Sequence, residues 1–186
     1  MKNKYLKHFL TVYRHRKIVR KECFLCGLWW QGITHDLSKY SLAEFASSAR
    51  YFQGDKSPIE AQKEDQGYSE AWLHHKGHNK HHWEYWTDFD NEGNVVPLKI
   101  PYKYVVEMVC DYIGAGKVYS KEKWTQEEPL NYYIKVRKGR RFHEETESLI
   151  LYLLRGLAVC GEATFHENAH ALKKLYDEGW FKEVTE

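Results

Sequence analysis

Residues 34–39 read Thr-His-Asp-Leu-Ser-Lys, and they place an imidazole, a carboxylate and an ammonium close together. A neutral His35 and an ionised Asp36 can hold a divalent metal, and Lys39, one helical turn on, can meet an anionic substrate. A His-Asp dipeptide is common, so its weight depends on its partners. His15 stands upstream. His74, His75, His78, His81 and His82 stand downstream, and Asp111 follows them.

Five histidines fall within the nine residues 74–82. His74, His78 and His82 are spaced by four, and His78 and His81 by three, so a continuous helix would line up His74, His78 and one of His81 or His82. A solvated tract that binds metal adventitiously is the plain alternative. The interleaved Trp72, Leu73, Trp83 and Trp86 argue that at least one face is buried.

Asp111 lies seven residues after Tyr104 and three after Met108, which places its carboxylate on or beside an apolar helix face. A carboxylate there needs a cation or several donors, because desolvating it alone is costly. A bound metal or a structural ion pair would each satisfy it. Glu107, one turn earlier, shares that side as a supporting carboxylate or a base. His15 lies between Val12 and Val19 and reads equally as a core histidine.

The elements that must position these residues are predicted to be helices. Residues 2–21 form an amphipathic helix, and 22–31 a buried apolar one ending near Gly32. Ser41-x-x-Glu44 is a capping box that opens a helix to about Phe52. Residues 53–69 read as a loop with a short helical turn, and 69–86 as a helix with a break at Gly77. Residues 87–100 suit a loop or small β-hairpin. Pro101 starts a helix to about Ile113, ended by Gly114 and Gly116. Further helices are expected over 126–138 and 164–178, behind the boxes Thr125-x-x-Glu128 and Thr164-x-x-Glu167, with another near 143–160.

At 186 residues, 42% hydrophobic and 29% charged, the chain suits one folded, all-α domain over 1–186. Its net charge of +2 gives no argument for a nucleic-acid partner. Eight of the first 22 residues are nonetheless basic (Lys2, Lys4, Lys7, Arg14, Arg16, Lys17, Arg20, Lys21), against one acid, Glu22. They read as a solvated face, or as a positive rim for phosphates. Cysteines 23, 26, 110 and 160 make no disulfide framework, and Cys23-x-x-Cys26 lacks a second pair for zinc. Reduced thiols and apolar runs too short to cross a bilayer lead us to expect a soluble, cytoplasmic protein with no membrane partner.

The order His15, His35-Asp36, histidine cluster, Asp111 resembles the HD superfamily, a helical fold of metal-dependent phosphohydrolases. Three segments are more closely similar to a family of bacterial and phage proteins that brings no established activity. They are His35-Asp-Leu-Ser-Lys-Tyr-Ser, Trp72-Leu-His-His with Asn79-Lys-His-His-Trp-Glu-Tyr-Trp86, and Glu107-Met-Val-Cys-Asp-Tyr-Ile-Gly-Ala-Gly116. That likeness covers about 4–118, with 119–186 completing the helical shell.

The resemblance implies an HD-like bundle. His15, His35, Asp36 and Asp111 would hold a first metal, and His74 or His75 with His81 or His82 a second. Lys39 would face the substrate phosphate. The Gly-Tyr-Pro signature of the cyclic-dinucleotide branch is absent after His82, so that substrate is not implied. The expected function is hydrolysis of a small phosphate ester, a nucleotide being one candidate. It would use one or two Fe, Mn, Zn, Co or Ni ions, with Asp36, Glu107 or a free histidine accepting the water proton. A di-iron oxygenase on the same fold and a non-catalytic binding protein are the competing readings.

Overall fold

The computed structural model describes residues 2–54 and 57–183. Ten α-helices and one small hairpin make an all-α bundle among the described residues. The first helix, α1 (Lys2–Leu25), runs past the expected end at residue 21. It buries His8, Val12, His15, Val19, Glu22 and Cys23 along one stripe at three- and four-residue steps. Gly27, at φ 73°, ends it in the left-handed conformation that a side chain would strain.

That turn divides the apolar run expected to form one buried helix over 22–31. Its second half belongs to a short helix, α2 (Trp29–Thr34), which points Trp29 and Trp30 outward at 62% and 70% exposure. A turn at Leu37–Tyr40 leads into α3 (Leu42–Tyr51), where Ser41 Oγ accepts from Glu44 N at 3.3 Å, as its capping box predicts. Residues 53–69 hold more than a loop. Pro58 fits the first turn of α4 (Pro58–Gln66), and Gly67 at φ 79° closes it.

The next helix, α5 (Glu70–His78), starts on Ser69 Oγ and stops well short of Trp86. Gly77 is helical; the break falls at Asn79, whose extended backbone stops the helix while its side chain bonds His75 O and Ser38 Oγ. His81 and His82 therefore leave the helix. A turn of 3-10 helix at Trp83–Trp86 precedes a hairpin, β1 (Thr87–Phe89) against β2 (Val95–Pro97), antiparallel with Asp88 opposite Val96.

The long central helix, α6 (Tyr102–Ser120), continues through both glycines that were expected to end it. Four helices follow: α7 (Glu128–Val136), α8 (Glu144–Cys160), α9 (Glu162–Ala171) and α10 (Lys173–Asp177). Pro129 sits in the first turn of α7, and neither Thr125 nor Thr164 caps a helix; Thr164 instead bonds back to Cys160 O. A hydroxyl in the first turns competes for the backbone in more than one direction, so the four-residue pattern alone misleads there. The described helices include none long and apolar enough to cross a membrane. All four cysteines are free; Cys23, Cys26 and Cys110 are core residues, and Cys160 is exposed.

The core lies where α6 is sandwiched between α1 and α8, with Val19, Val105, Val109, Ile113, Leu149 and Leu153 fully buried. Gly114 sets how closely α1 and α6 approach. A Cβ there would overlap Val19 Cγ2 and lie 3.5 Å from His15 Cε1. Alanine would gain about 1 kcal/mol of helix propensity. Overpacking against a fully buried valine costs about 3 kcal/mol and wins. Gly114→Ala should therefore lose about 2 kcal/mol, a fall in Tm of about 4–8 °C by differential scanning calorimetry. An unchanged Tm would show that the two helices are not held at contact distance.

Candidate metal centre

Three helices and two loops, at residues 35–36 and 79–82, bring the centre together. His15 comes from α1, Asp111 from α6, and His75 from α5, while His35 and Asp36 follow α2 directly. Neighbouring residues on a regular element point apart, yet His35 and Asp36 both face the core. His35 leaves the helical region (φ −47°, ψ 124°) and Asp36 is left-handed (φ 53°, ψ 26°). That conformation is rare outside glycine but tolerated by Asp, and here it turns the carboxylate back beside the imidazole. Arg16 fixes the bend by donating to His35 O at 2.7 Å and Ile33 O at 3.1 Å.

His15 Nε2 lies 3.0 Å from Asp111 Oδ1, 3.4 Å from His35 Nε2 and 3.5 Å from Asp36 Oδ2. His35 Nε2 is 3.4 Å from Asp36 Oδ2 and 3.5 Å from Asp111 Oδ1. An ion bound at about 2.1 Å sets adjacent donor atoms roughly 3.0 to 3.4 Å apart, in octahedral or tetrahedral arrangement. The spacing fits.

A second group stands on the other oxygen of the same aspartate. Asp36 Oδ1 lies 3.3 Å from His75 Nε2 and 3.5 Å from His81 Nε2, and His82 completes this set. Both Asp36 oxygens, His81 Nε2 and His82 Nε2 are buried without a hydrogen bond. Lys39 Nζ is 2.7 Å from Asp36 Oδ2, an ion pair not aligned as a hydrogen bond. Buried polar atoms without partners are expensive, and three of these, Asp36 Oδ1, His81 Nε2 and His82 Nε2, belong to residues of the one group that a metal would satisfy.

Two further carboxylates stand behind the imidazoles. Glu107 Oε1 accepts from His35 Nδ1 at 2.9 Å and from His81 Nδ1 at 3.2 Å. Glu44 Oε2 accepts from His75 Nδ1 at 2.9 Å, since the Asn79 amide hydrogens go to Ser38 Oγ and His75 O. A proton held on Nδ1 leaves the Nε2 lone pair facing Asp36, the usual means of orienting a metal-binding histidine.

Electrostatics follow from this crowding of acids. Burial alone would raise Asp36 and Asp111, but His35 with Lys39 around the first, and His15 with His35 around the second, hold both well below the usual carboxylate range. Burial would lower His35, yet Asp36, Asp111 and Glu107 keep it well above the usual imidazole range. Lys39 also loses by burial and gains more from Asp36 and Asp111, so it stays charged. His82 has no such support. Burial, then the neighbouring His81 and His75, depress it strongly.

Of the residues singled out in the sequence, His15, His35, Asp36, His75, His81, His82 and Asp111 meet, with Lys39 beside them and Glu107 behind them. His74 and His78 do not. His74 bonds Glu44 Oε1 at 2.7 Å, and His78 stacks on it at 4.0 Å with its ring towards solvent. The supposed histidine stripe fails because α5 ends at His78. Glu44 was legible only as a capping residue; nothing in its spacing points to His75, which lies 31 residues on.

The centre opens into a cleft of about 620 Å³ whose walls include Lys39, Trp72, Trp83, Asp111, Tyr112 and Arg140. Arg140 is absent from any sequence motif. It bonds Tyr112 Oη and lies 5.7 and 5.8 Å from the ring centroids of Tyr112 and Tyr132. A guanidinium braced on two aromatic faces is a fixed positive charge at the cleft wall.

A model described as a family of unknown function (DUF5662) matches residues 4–156. The chain belongs to this family. The DUF5662 match takes in every residue of both groups and continues past residue 118, where the sequence likeness was expected to stop, through α7 and most of α8. It thereby includes Arg140 and the helix that closes the core behind α6. No curated protein and no solved structure matches the chain.

Proposed function

We propose that this DUF5662 protein is a metal-dependent phosphohydrolase acting on a small phosphate ester. The observation that carries the reading is Asp36. Its two buried oxygens face two separate sets of histidine nitrogens, at the floor of a cleft walled by Lys39 and Arg140. The ligand order His15, His35-Asp36, Asp111 is also that of the HD superfamily phosphohydrolases, which supports the same chemistry. Mixed nitrogen and oxygen donors suit Mn, Fe, Co, Ni or Zn rather than Ca.

Divalent ions, when bound here, would polarise a phosphoryl oxygen and lower the pKa of a water poised to attack in line. His15, His35, Asp36 and Asp111 would hold one, and Asp36, His75, His81 and His82 the other. With both oxygens committed to these sets, Asp36 serves as a ligand and not as a base. Glu107 is engaged by His35 and His81 and orients them. Asp111 is the most exposed of the first four, at 17% of its side chain, and it lines the cleft with Oδ1 turned inward. Its Oδ2 is the atom left to accept the water proton. Lys39 carries its charge on a flexible stem and would neutralise the substrate phosphate, while Arg140 would hold a second anionic oxygen.

The test is metal analysis of protein purified without chelator or His-tag, followed by assay on phosphate monoesters, diesters and nucleotides with each metal in turn. Wild type should carry up to two ions, one per group, and hydrolyse at least one ester class. Asp111→Asn and His35→Ala should each lose the ion of the first group, and turnover with it. Lys39→Ala should keep its metal and lose about 10²-fold in kcat/KM, the effect of removing one group that stabilises transition-state charge. Stoichiometric metal and turnover in both ligand variants would sink the proposal, as would oxygen consumption on iron with no hydrolysis under nitrogen.

A further inference from the structure

On the side of α1 away from the core, a groove of about 880 Å³ runs between that helix and the end of α6. Arg14, Lys17, Arg20 and Lys21 line it from α1, and Lys121 from just beyond α6. All five are exposed, and among the described residues none is in an ion pair and no carboxylate lines the groove. Lys117, a sixth cation in its wall, is already engaged by Glu22 and Glu162.

Single-sign charge left uncompensated in a concavity focuses an electrostatic field and collects anions. The cations follow one another along a helix whose successive three- and four-residue steps advance about 4.5–6 Å, so they form a row and not a point. That geometry fits a polymer of negative charges better than a single anion.

Aromatic rings flank the row. Phe24 lines the groove and meets Trp29 just outside it, with ring centroids 4.5 Å apart and the planes tilted by 39°, and Trp29 is 62% exposed. Tyr119 lines the other wall at 40% exposure. A basic groove bordered by exposed aromatic faces is the arrangement that tracks a phosphate backbone while stacking unpaired bases.

We infer that this groove binds single-stranded nucleic acid. The near-neutral charge of the whole chain conceals it, because among the described residues no acid lines the groove. Thr11, Val118 and Tyr119 line both the groove and the metal cleft, so a bound strand would pass beside the cleft. The inference holds whether or not the centre hydrolyses phosphate esters.

The experiment is fluorescence anisotropy of labelled single-stranded DNA and RNA oligonucleotides with the full chain, across a salt series. Five phosphate contacts predict a log–log salt slope near −3.5, or a fall of about a hundredfold between about 50 and 200 mM. Arg14→Glu/Lys17→Glu/Lys21→Glu should lose at least about tenfold in affinity and flatten the slope to about −1.4. Trp29→Ala should lose about tenfold with the slope unchanged. The triple glutamine variant guards against a folding defect, with circular dichroism and metal content as checks that groove residues should not move. No binding at low salt would overturn the inference. So would equal affinity for inorganic polyphosphate or anionic phosphatidylserine vesicles with no effect of Trp29→Ala. A preference between the DNA and RNA arms would name the polymer and support it.

Discussion

Asp36→Ala should strip the protein of all bound metal, whereas loss of a histidine from either set should remove one ion. Asp36 is the residue shared by both sets, with Oδ2 towards His15 and His35 and Oδ1 towards His75 and His81. His15→Ala touches the first set alone and His75→Ala the second. Inductively coupled plasma analysis of the three variants therefore gives a pattern of none, one and one. Under the proposed hydrolytic role, turnover in Asp36→Ala should fall at least about a thousandfold, since charge stabilisation at a bound phosphate would be lost.

Stability should move with it. Wild type at a metal concentration a hundred times Kd gains about 2.7 kcal/mol, and Asp36→Ala gains nothing. Without metal the variant should still be less stable by about 3–5 kcal/mol, because Lys39 and His35 lose the buried carboxylate they face. Asp36→Asn preserves the shape and tolerates φ 53°, so it separates loss of charge from strain. Two ions retained in Asp36→Asn would refute the shared-ligand geometry.

Glu107→Ala carries the second large effect, and it acts without touching the metal. Glu107 Oε1 receives the Nδ1 protons of His35 and His81, two residues 46 positions apart that belong to different sets. Removing it orphans two buried donors at about 1–3 kcal/mol each. Both rings are then free to turn, and metal affinity should fall by about 10–100-fold. Glu107→Gln restores an acceptor but no charge, so it should recover most of the thermal stability and part of the affinity. Burial alone would raise Glu107, and the hydrogen bonds from His35 and His81 hold it below the usual range, so it is ionised and fit for this role. Calorimetric metal titration of the two variants decides. Unchanged affinity in Glu107→Ala would mean that the imidazoles are held by packing alone.

Much of the architecture was legible in the chain. Ser41 with Glu44, Pro101 and the apolar spacing of Tyr104, Val105 and Met108 predicted α3 and α6, because capping and amphipathicity are local properties. The glycines misled. Gly114 and Gly116 read as a helix end, but their small size serves a close approach to Val19 and Trp124, which no local pattern records. Thr125 and Thr164 fit the capping pattern and cap nothing.

For the site, the residue types and the inward placement of Asp111 were determined by the sequence itself, since a carboxylate among apolar helix positions must find a cation. The tertiary structure alone decided which histidines join it. Glu44, from another helix, bonds Nδ1 of both His74 and His75, but only His75 lies on the buried face of α5, where its Nε2 comes within 3.3 Å of Asp36 Oδ1. His81 and His82 reach the centre because Asn79 stops α5, and His78 is left in solvent by the same stop. His35 and Asp36 act together only because Asp36 adopts a left-handed backbone under the grip of Arg16 on the preceding carbonyls. Each of these choices depends on a contact between distant residues, and a contact of that kind leaves no trace in local spacing.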